Sequence, residues 1–255
     1  MQQPYFLNNG GNRKAKDGIM LWYAGKNPYI AVLKCTGAIT IHSTYNGIAT
    51  TETYSDLNNA AIAIKADPNT EVYIEGIISR MINDSSEKRI RCHNTALTEL
   101  DCNSCTWLTD LNLSANTALT ELDCNSCTGL TDLNLSANTA LTELDCYSCT
   151  GLTDLNLSTN TALTTLYCNS CTGLTDLNLS ANTALTILDC YSCYYLTTIY
   201  AIAKNKNVSD IIVHAIQSAF ASNGTLYINS SDTYASTVIS AATDKGWVVE
   251  NLPAA

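Results

Sequence analysis

Leu97–Ala118 reads LTELDCNSCTWLTDLNLSANTA, and the same 22 residues return with few changes at 119–140, 141–162 and 163–184. A fifth copy opens at Leu185 and loses the pattern after Cys193. Self-similarity at a fixed period of about 20 to 50 residues marks an architecture in which each unit buries its apolar face only against its neighbours. Inside the unit the template runs Leu-x-x-Leu-x-Cys-x-x-Cys-x-x and then Leu-x-x-Leu-x-Leu-x-x-Asn-x-x, two halves of eleven on one pattern. In the first unit these positions are Leu97, Leu100, Cys102 and Cys105, then Leu108, Leu111, Leu113 and Asn116. Each half predicts a short central strand, so each coil should place one strand on each side of a flattened tube, with coils stacked about 4.8 Å apart.

The L-x-x-L-x-L-x-x-N/C pattern is the leucine-rich-repeat signature. With its nested halves and Cys replacing Leu, the stretch from 94 to 206 resembles the short bacterial leucine-rich repeats of the internalin-J-like, cysteine-ladder type, and those of many Bacteroidetes and phage repeat proteins. The resemblance implies a mainly β chain with a parallel β solenoid used for adhesion or protein recognition. The second cysteine column departs from those repeats, where Asn is usual, and no export signal or wall anchor is read in the sequence.

The cysteines fall in two columns: Cys102, Cys124, Cys146, Cys168 and Cys190, and Cys105, Cys127, Cys149, Cys171 and Cys193. Each C-x-x-C has the spacing of half a zinc site or of a redox motif. Yet the first column takes a leucine slot and the second takes the slot of Asn116, so both are read as small buried hydrophobes. A spacing of about 4.8 Å lies within disulfide range, but side chains stacked in register point the same way and disfavour the dihedral of about 90°. Free thiols are predicted, which suits folding in a reducing compartment. Asn116, Asn138, Asn160 and Asn182 are expected to bond turn backbone and one another along the stack, since a buried amide must be satisfied. The Thr column of Thr98, Thr120, Thr142 and Thr164 is read as structural in the same way.

The outward positions separate frame from function. On the second strand Asp110, Asp132, Asp154 and Asp176 hardly vary beside Asn112, Asn134, Asn156 and Asn178. Stacked carboxylates repel, so that column either stays solvated or holds cations, and the solvated reading is taken because the glycine-aspartate nonapeptide of calcium β-rolls is missing. On the first strand Glu99, Glu121 and Glu143 give way to Thr165 and Ile187, Asp101 to Tyr167, and Asn103 to Tyr147 and Tyr191. Variation on one face, turning from acidic to aromatic, suits a contact surface, because aromatic side chains supply area and a polar tip together. The candidate partner-binding face is therefore Tyr147, Tyr167 and Tyr191 with Glu143, Asp145 and Asp189, and its partner a virion or host-surface protein or a glycan.

Three domains are expected: a β-rich attachment and capping domain at 1–90, a five-coil solenoid at 91–206 and an α/β cap at 207–255. The first should be a small sheet or sandwich with strands near 18–24, 29–33, 38–41, 61–66 and 71–78, and a hairpin that turns at Asp67-Pro68-Asn69-Thr70. Residues 79–96 are read as a polar lead-in, where His93 beside Cys92 is assigned a structural or solvated role. In the last domain a helix is expected from Ser209, with Ile212, Ile216, Ala219 and Phe220 on one face and Gly224 at its stop. A strand at 225–228 follows, then a helix capped by Ser231 or Asp232 and closed by Gly246, then a strand at 247–249. His214 is placed on the first helix surface.

The chain of 255 residues is 46% apolar with a formal charge of −10. Nine Lys/Arg face eight Asp/Glu in 1–90, three face eleven in 91–206 and one faces four in 207–255. The negative field belongs to the repeats and argues against nucleic acid as a partner, which needs clustered basic residues. No stretch approaches the roughly 18 apolar residues of a membrane span, and the first sixteen residues lack the apolar core of a secretory signal. With no nucleophile elbow, phosphate loop or zinc-hydrolase motif, the expected class is non-enzymatic, without cofactor or metal. The expected role is a bacteriophage virion fibre or decoration protein assembled in the bacterial cytoplasm, with the N-terminal domain as attachment point and candidate for homo-oligomerisation. The alternatives are a bacterial cell-surface adhesin and a cytoplasmic protein-binding scaffold.

Overall fold

The computed structural model describes residues 18–23, 29–35, 37–64, 71–75, 78–82, 87–92, 95–204, 206–219 and 222–252. The described chain is mainly β, with parallel sheets and two helices. Eight strands precede the repeats: β1 (Gly18–Tyr23), β2 (Tyr29–Cys35), β3 (Ala38–Tyr45), β4 (Ile48–Ser55), β5 (Ala60–Ile64), β6 (Glu71–Glu75), β7 (Ile78–Ile82) and β8 (Glu87–Cys92). The repeats contribute β9 (Glu99–Asp101), β10 (Asp110–Asn112), β11 (Glu121–Asp123), β12 (Glu143–Asp145), β13 (Thr165–Tyr167), β14 (Asp176–Asn178), β15 (Ile187–Asp189) and β16 (Thr198–Ala201). The chain ends with α1 (Lys206–Ser218), β17 (Thr225–Ile228), α2 (Ala235–Lys245) and β18 (Val248–Asn251).

The first half of every coil forms a strand, and β9, β11, β12, β13 and β15 pair parallel and in register, Leu100 to Leu122 to Leu144 to Leu166 to Leu188. This ladder is extended by β7, β2 and β5 into one sheet of eight strands. The second half behaves differently. Strands form there only at β10 and β14, while 132–134 and 154–156 are not strands, so the expected pair of strands per coil holds in two coils of the first four. On this side β10 continues into β8, β1, β6, β3 and β4, and β14 into β16, β17 and β18. Between those sheets the coils are joined by buried leucines such as Leu133 and Leu155 and by the asparagine side chains. The first side needs no such help, because backbone bonds flank its strands, as from Cys124 N to the Asp145 carbonyl and from Thr142 N to the Thr120 carbonyl.

Position 90/91 lies within β8 and position 206/207 within α1, and the sheets join strands from both sides of each: β8 pairs with β10, and β16 with β17. The polar lead-in of the sequence reading is in fact two strands, β7 and β8, that act as a coil before the first repeat: Met81 lies opposite Leu100 and Ile90 opposite Leu111. The hairpin expected between 61–66 and 71–78 is not formed. β5 pairs with β2 in the eight-stranded sheet, whereas β6 lies between β1 and β3 in the six-stranded one. Alternation places Ile62 and Ile64, and Val72 and Ile74, in one buried core, and it fixes which face points inward without fixing which strand is the neighbour. The reversal at 67–70, His93 and Phe220 lie outside the described residues. A hairpin does form at Asn46-Gly47, where both residues have positive φ, 51° and 72°, as a type I′ turn requires, and it leads into the exposed strand β4.

At the far end the second-side ladder continues through β16, β17 and β18, while α1 and α2 replace the first-side strands, and α1 covers the edge strand β15. This is the strand and helix alternation expected for the cap. Helix α1 starts earlier than Ser209, at Lys206. Neither Ser231 nor Asp232 caps α2: its N-cap is Tyr234, without a side-chain bond, and Asp232 instead accepts from Ala203 N at 3.1 Å. Gly246 closes α2 in the left-handed conformation, as expected.

Candidate interaction surface

Both cysteine columns and the asparagine column lie wholly inside the stack, and none of the ten ladder cysteines is bonded to another. Four thiols of the second column, from Cys127 to Cys193, donate to the carbonyl of a first-column cysteine one coil earlier, for example from Cys149 Sγ to the Cys124 oxygen at 3.1 Å and from Cys171 Sγ to the Cys146 oxygen at 3.0 Å. The asparagines do the same eleven residues later. Asn160 Nδ2 donates to the Leu135 and Asn138 carbonyls at 3.2 and 2.9 Å. The asparagines thus bond backbone along the stack but not one another: the carboxamide oxygens of Asn138, Asn160 and Asn182 accept no hydrogen bond. The hydrogen bond to the next coil's sulfur, and then burial, push the Cys124, Cys146 and Cys168 thiols well above the ordinary range, and burial, with Cys193 and Asp189 nearby, does so for Cys190. Such thiols are poor nucleophiles and poor metal ligands, since both roles need the thiolate. Thr120, Thr142 and Thr164 each donate a hydroxyl to the threonine carbonyl one coil back.

The outward face of the first side carries the predicted contact residues. Tyr147 is 41% exposed, Tyr191 38% and Ile187 47%, while Tyr167 is half-buried between Asp145 and Asp189 in the ladder. The three tyrosines stand on three successive coils, and the ring of Tyr191 meets that of His214 on α1 edge to face, 4.4 Å between centroids. Thr165, expected to point outward, is buried. Asp145 and Asp189 are tied into the frame: each accepts the backbone N–H two residues on, from Tyr147 at 2.9 Å and Tyr191 at 3.2 Å, as Asp101 and Asp123 do from Asn103 and Asn125. These Asx turns end each strand and aim the next residue outward. Burial raises the Asp145 and Asp123 carboxyls above their usual value, the turn N–H pulls them back, and neighbouring carboxylates raise them again. Glu143 stands half-buried between Glu121 and Thr165 in the same ladder.

Among the described residues no three His, Cys, Asp or Glu side chains gather as metal ligands. Two features escaped the sequence reading. Trp107 occupies the place held by Gly129, Gly151 and Gly173 in later coils and is 65% exposed. Tyr200 and Tyr227, opposite one another on β16 and β17, stack in parallel at 4.3 Å. The signal for the second was present as Tyr-bearing strands in both places, but their separation of 27 positions breaks the 22-residue period that would have aligned them.

No protein-family model and no curated protein matches this chain. Among solved structures it is similar to the functional domain of InlJ from Listeria monocytogenes, described as including a cysteine ladder, at 30% identity with a TM-score of 0.33. The match covers 54% of this chain and 31% of that one, so the chain spans about a third of that structure's length.

Proposed function

We propose that this chain is a non-enzymatic interaction protein, a leucine-rich-repeat solenoid whose first-side face at Tyr147, Tyr167 and Tyr191 engages a protein partner. The observation that carries this is the set of tyrosines on three successive coils, Tyr147 and Tyr191 exposed and Tyr167 half-buried between them, on the face that varies while the outward Asp and Asn columns of the second side scarcely do. Glu143, Asp145 and Asp189 surround them, so the complementary partner surface presents Lys or Arg. Residues 1–90 attach the molecule and are the region for self-association, 91–206 present the face and 207–255 close the stack.

The reading extends to location. Ten buried ladder thiols, none in a disulfide, suit folding in a reducing cytoplasm, with display outside the cell reached by assembly into a phage virion as a fibre or decoration protein. Mass spectrometry of purified virions and of bacterial envelope fractions decides this: recovery in virions supports it, and recovery only in envelopes turns the reading to a surface adhesin. Cross-linking of the intact protein in the same particles should give partner cross-links that depend on the three tyrosines. A variant with all three replaced by Ser that keeps the same partner and the same yield would refute the face.

A further inference from the structure

The parallel strands β14, β16, β17 and β18 end side by side, and at their carboxyl ends lies an open groove of about 680 Å³, within the size range of small-ligand sites. Tyr200 forms one wall. One face of its ring is covered by Tyr227, at an interplanar angle of 7°. Its neighbour on the other side in the ladder is the shorter Asn178, and both residues line the groove. The polar groups of this groove are held in fixed orientations. Asn178 Oδ1 accepts from Ser180 N at 3.0 Å and Ser180 Oγ at 2.7 Å, and Asn229 Oδ1 from Ser231 N at 3.1 Å and Ser231 Oγ at 2.7 Å. With both oxygens committed to these turns, the two carboxamide nitrogens are left as oriented donors. Asp232 uses Oδ2 to accept from Ala203 N, which sets its carboxylate at the groove, and Lys204 adds an ammonium.

We propose that this groove binds a pyranose ring of a glycan, with its C–H face on Tyr200 and its hydroxyls shared among Asn178, Asn229, Asp232 and Lys204. A pyranose presents an apolar face and a rim of hydroxyls that both donate and accept, which matches one aromatic wall, two amide donors, one carboxylate acceptor and one ammonium. One positive and one negative group leave the groove locally neutral in a chain of charge −10, which favours an uncharged polyol over an anion. The site lies on the four-stranded sheet, apart from the tyrosine face of the eight-stranded one, and does not depend on the function proposed for that face.

The test is saturation-transfer NMR on the full chain with the methyl pyranosides of glucose, galactose, mannose and N-acetylglucosamine. At least one should bind saturably, with the strongest transfer to the C–H protons of one ring face. Tyr200→Ala and Asp232→Asn should each weaken it about tenfold or more. The variant with Tyr147, Tyr167 and Tyr191 replaced by Ser should bind the sugar unchanged, so that failure of one site is distinguishable from failure of the other. Thermal melts establish that each variant folds, and if Tyr200→Ala does not, Asp232→Asn decides. Absence of transfer from all four pyranosides, or unchanged affinity in the folded variants, overturns the proposal.

Discussion

Cys149 and Asn160 hold the same place in the two halves of their coil, eleven residues apart, and each donates to the carbonyl of the residue 25 positions back. The slot asks for a small donor in a dry interior, and thiol and carboxamide meet that requirement to different degrees. A thiol is a weak donor whose chief contribution is packing, whereas the carboxamide satisfies two buried carbonyls at once. Asn160→Ala should therefore cost about 2–3 kcal/mol, through the loss of two buried hydrogen bonds and the space left by the carboxamide, while the Leu135 and Asn138 carbonyls keep their turn partners, Asn138 N and Leu141 N. Cys149→Ala should cost about 1–2 kcal/mol, mostly as lost packing. Urea unfolding under reductant, followed by circular dichroism, measures both, and the reverse order would refute this account of the slot. The column identity of both residues was legible in the sequence. The pattern of donors and acceptors was not, because a period says which residues stack and not which atoms meet.

At the scale of the element, the corner after each first-side strand is the tightest part of the coil. Ser104, Ser126, Ser148, Ser170 and Ser192 all adopt the left-handed conformation there, with φ of 55–61°. Further on, a Cβ at Gly151 would lie 2.7 Å from the Thr128 carbonyl oxygen and 2.9 Å from that of Leu130, with the same crowding at Gly129 and Gly173. The obstacles are backbone atoms of the preceding coil and can give way only if the coils separate. Gly151→Ala should thus lose about 1–3 kcal/mol, read from the shift in urea midpoint, whereas an unchanged midpoint would show that the stack breathes at this corner. The sequence displayed the glycine column plainly. Its reason lies in the approach of two coils, which local propensity does not encode, and the same limit explains the misplaced β5–β6 hairpin. By contrast Asn46-Gly47 is local chemistry, and it produced the turn such a pair favours.

For the whole molecule the two ends and the charge matter most. An open stack would expose leucines and unpaired strand edges, and here antiparallel strands cover one end while α1, α2 and the last strands cover the other. The acidic ladder acts against this stability. Burial, with like-charged neighbours, raises the Asp123 and Asp145 carboxyls above the unfolded value, so the folded chain holds those protons more tightly than the unfolded one. Their contribution is then fully present below the ordinary carboxylate pKa and is lost as pH rises through the folded values. The urea midpoint should accordingly be higher near about pH 4, in the ordinary carboxylate range, than near about pH 7. Asp145→Asn should raise the unfolding free energy at the higher pH by up to about 1 kcal/mol and narrow the difference, since Asn156 makes the same turn without charge. A midpoint that falls steadily on acidification, or an Asp145→Asn variant less stable than the parent, would refute this reading.

The sequence by itself determined the period, the register of the columns, the identity of the buried leucines, cysteines and asparagines and the acidic face, because each is repeated every 22 residues and needs only a stack to acquire meaning, and it displayed the tyrosines as departures from that repeat. Only the tertiary structure decided that the second side forms strands in some coils and not in others, that the N-terminal strands continue both sides of the stack, and that Tyr200 and Tyr227 meet beside a groove. These depend on which strand lies beside which, a choice made by packing among elements that are far apart in the chain, whereas alternation and period fix only the face each residue presents.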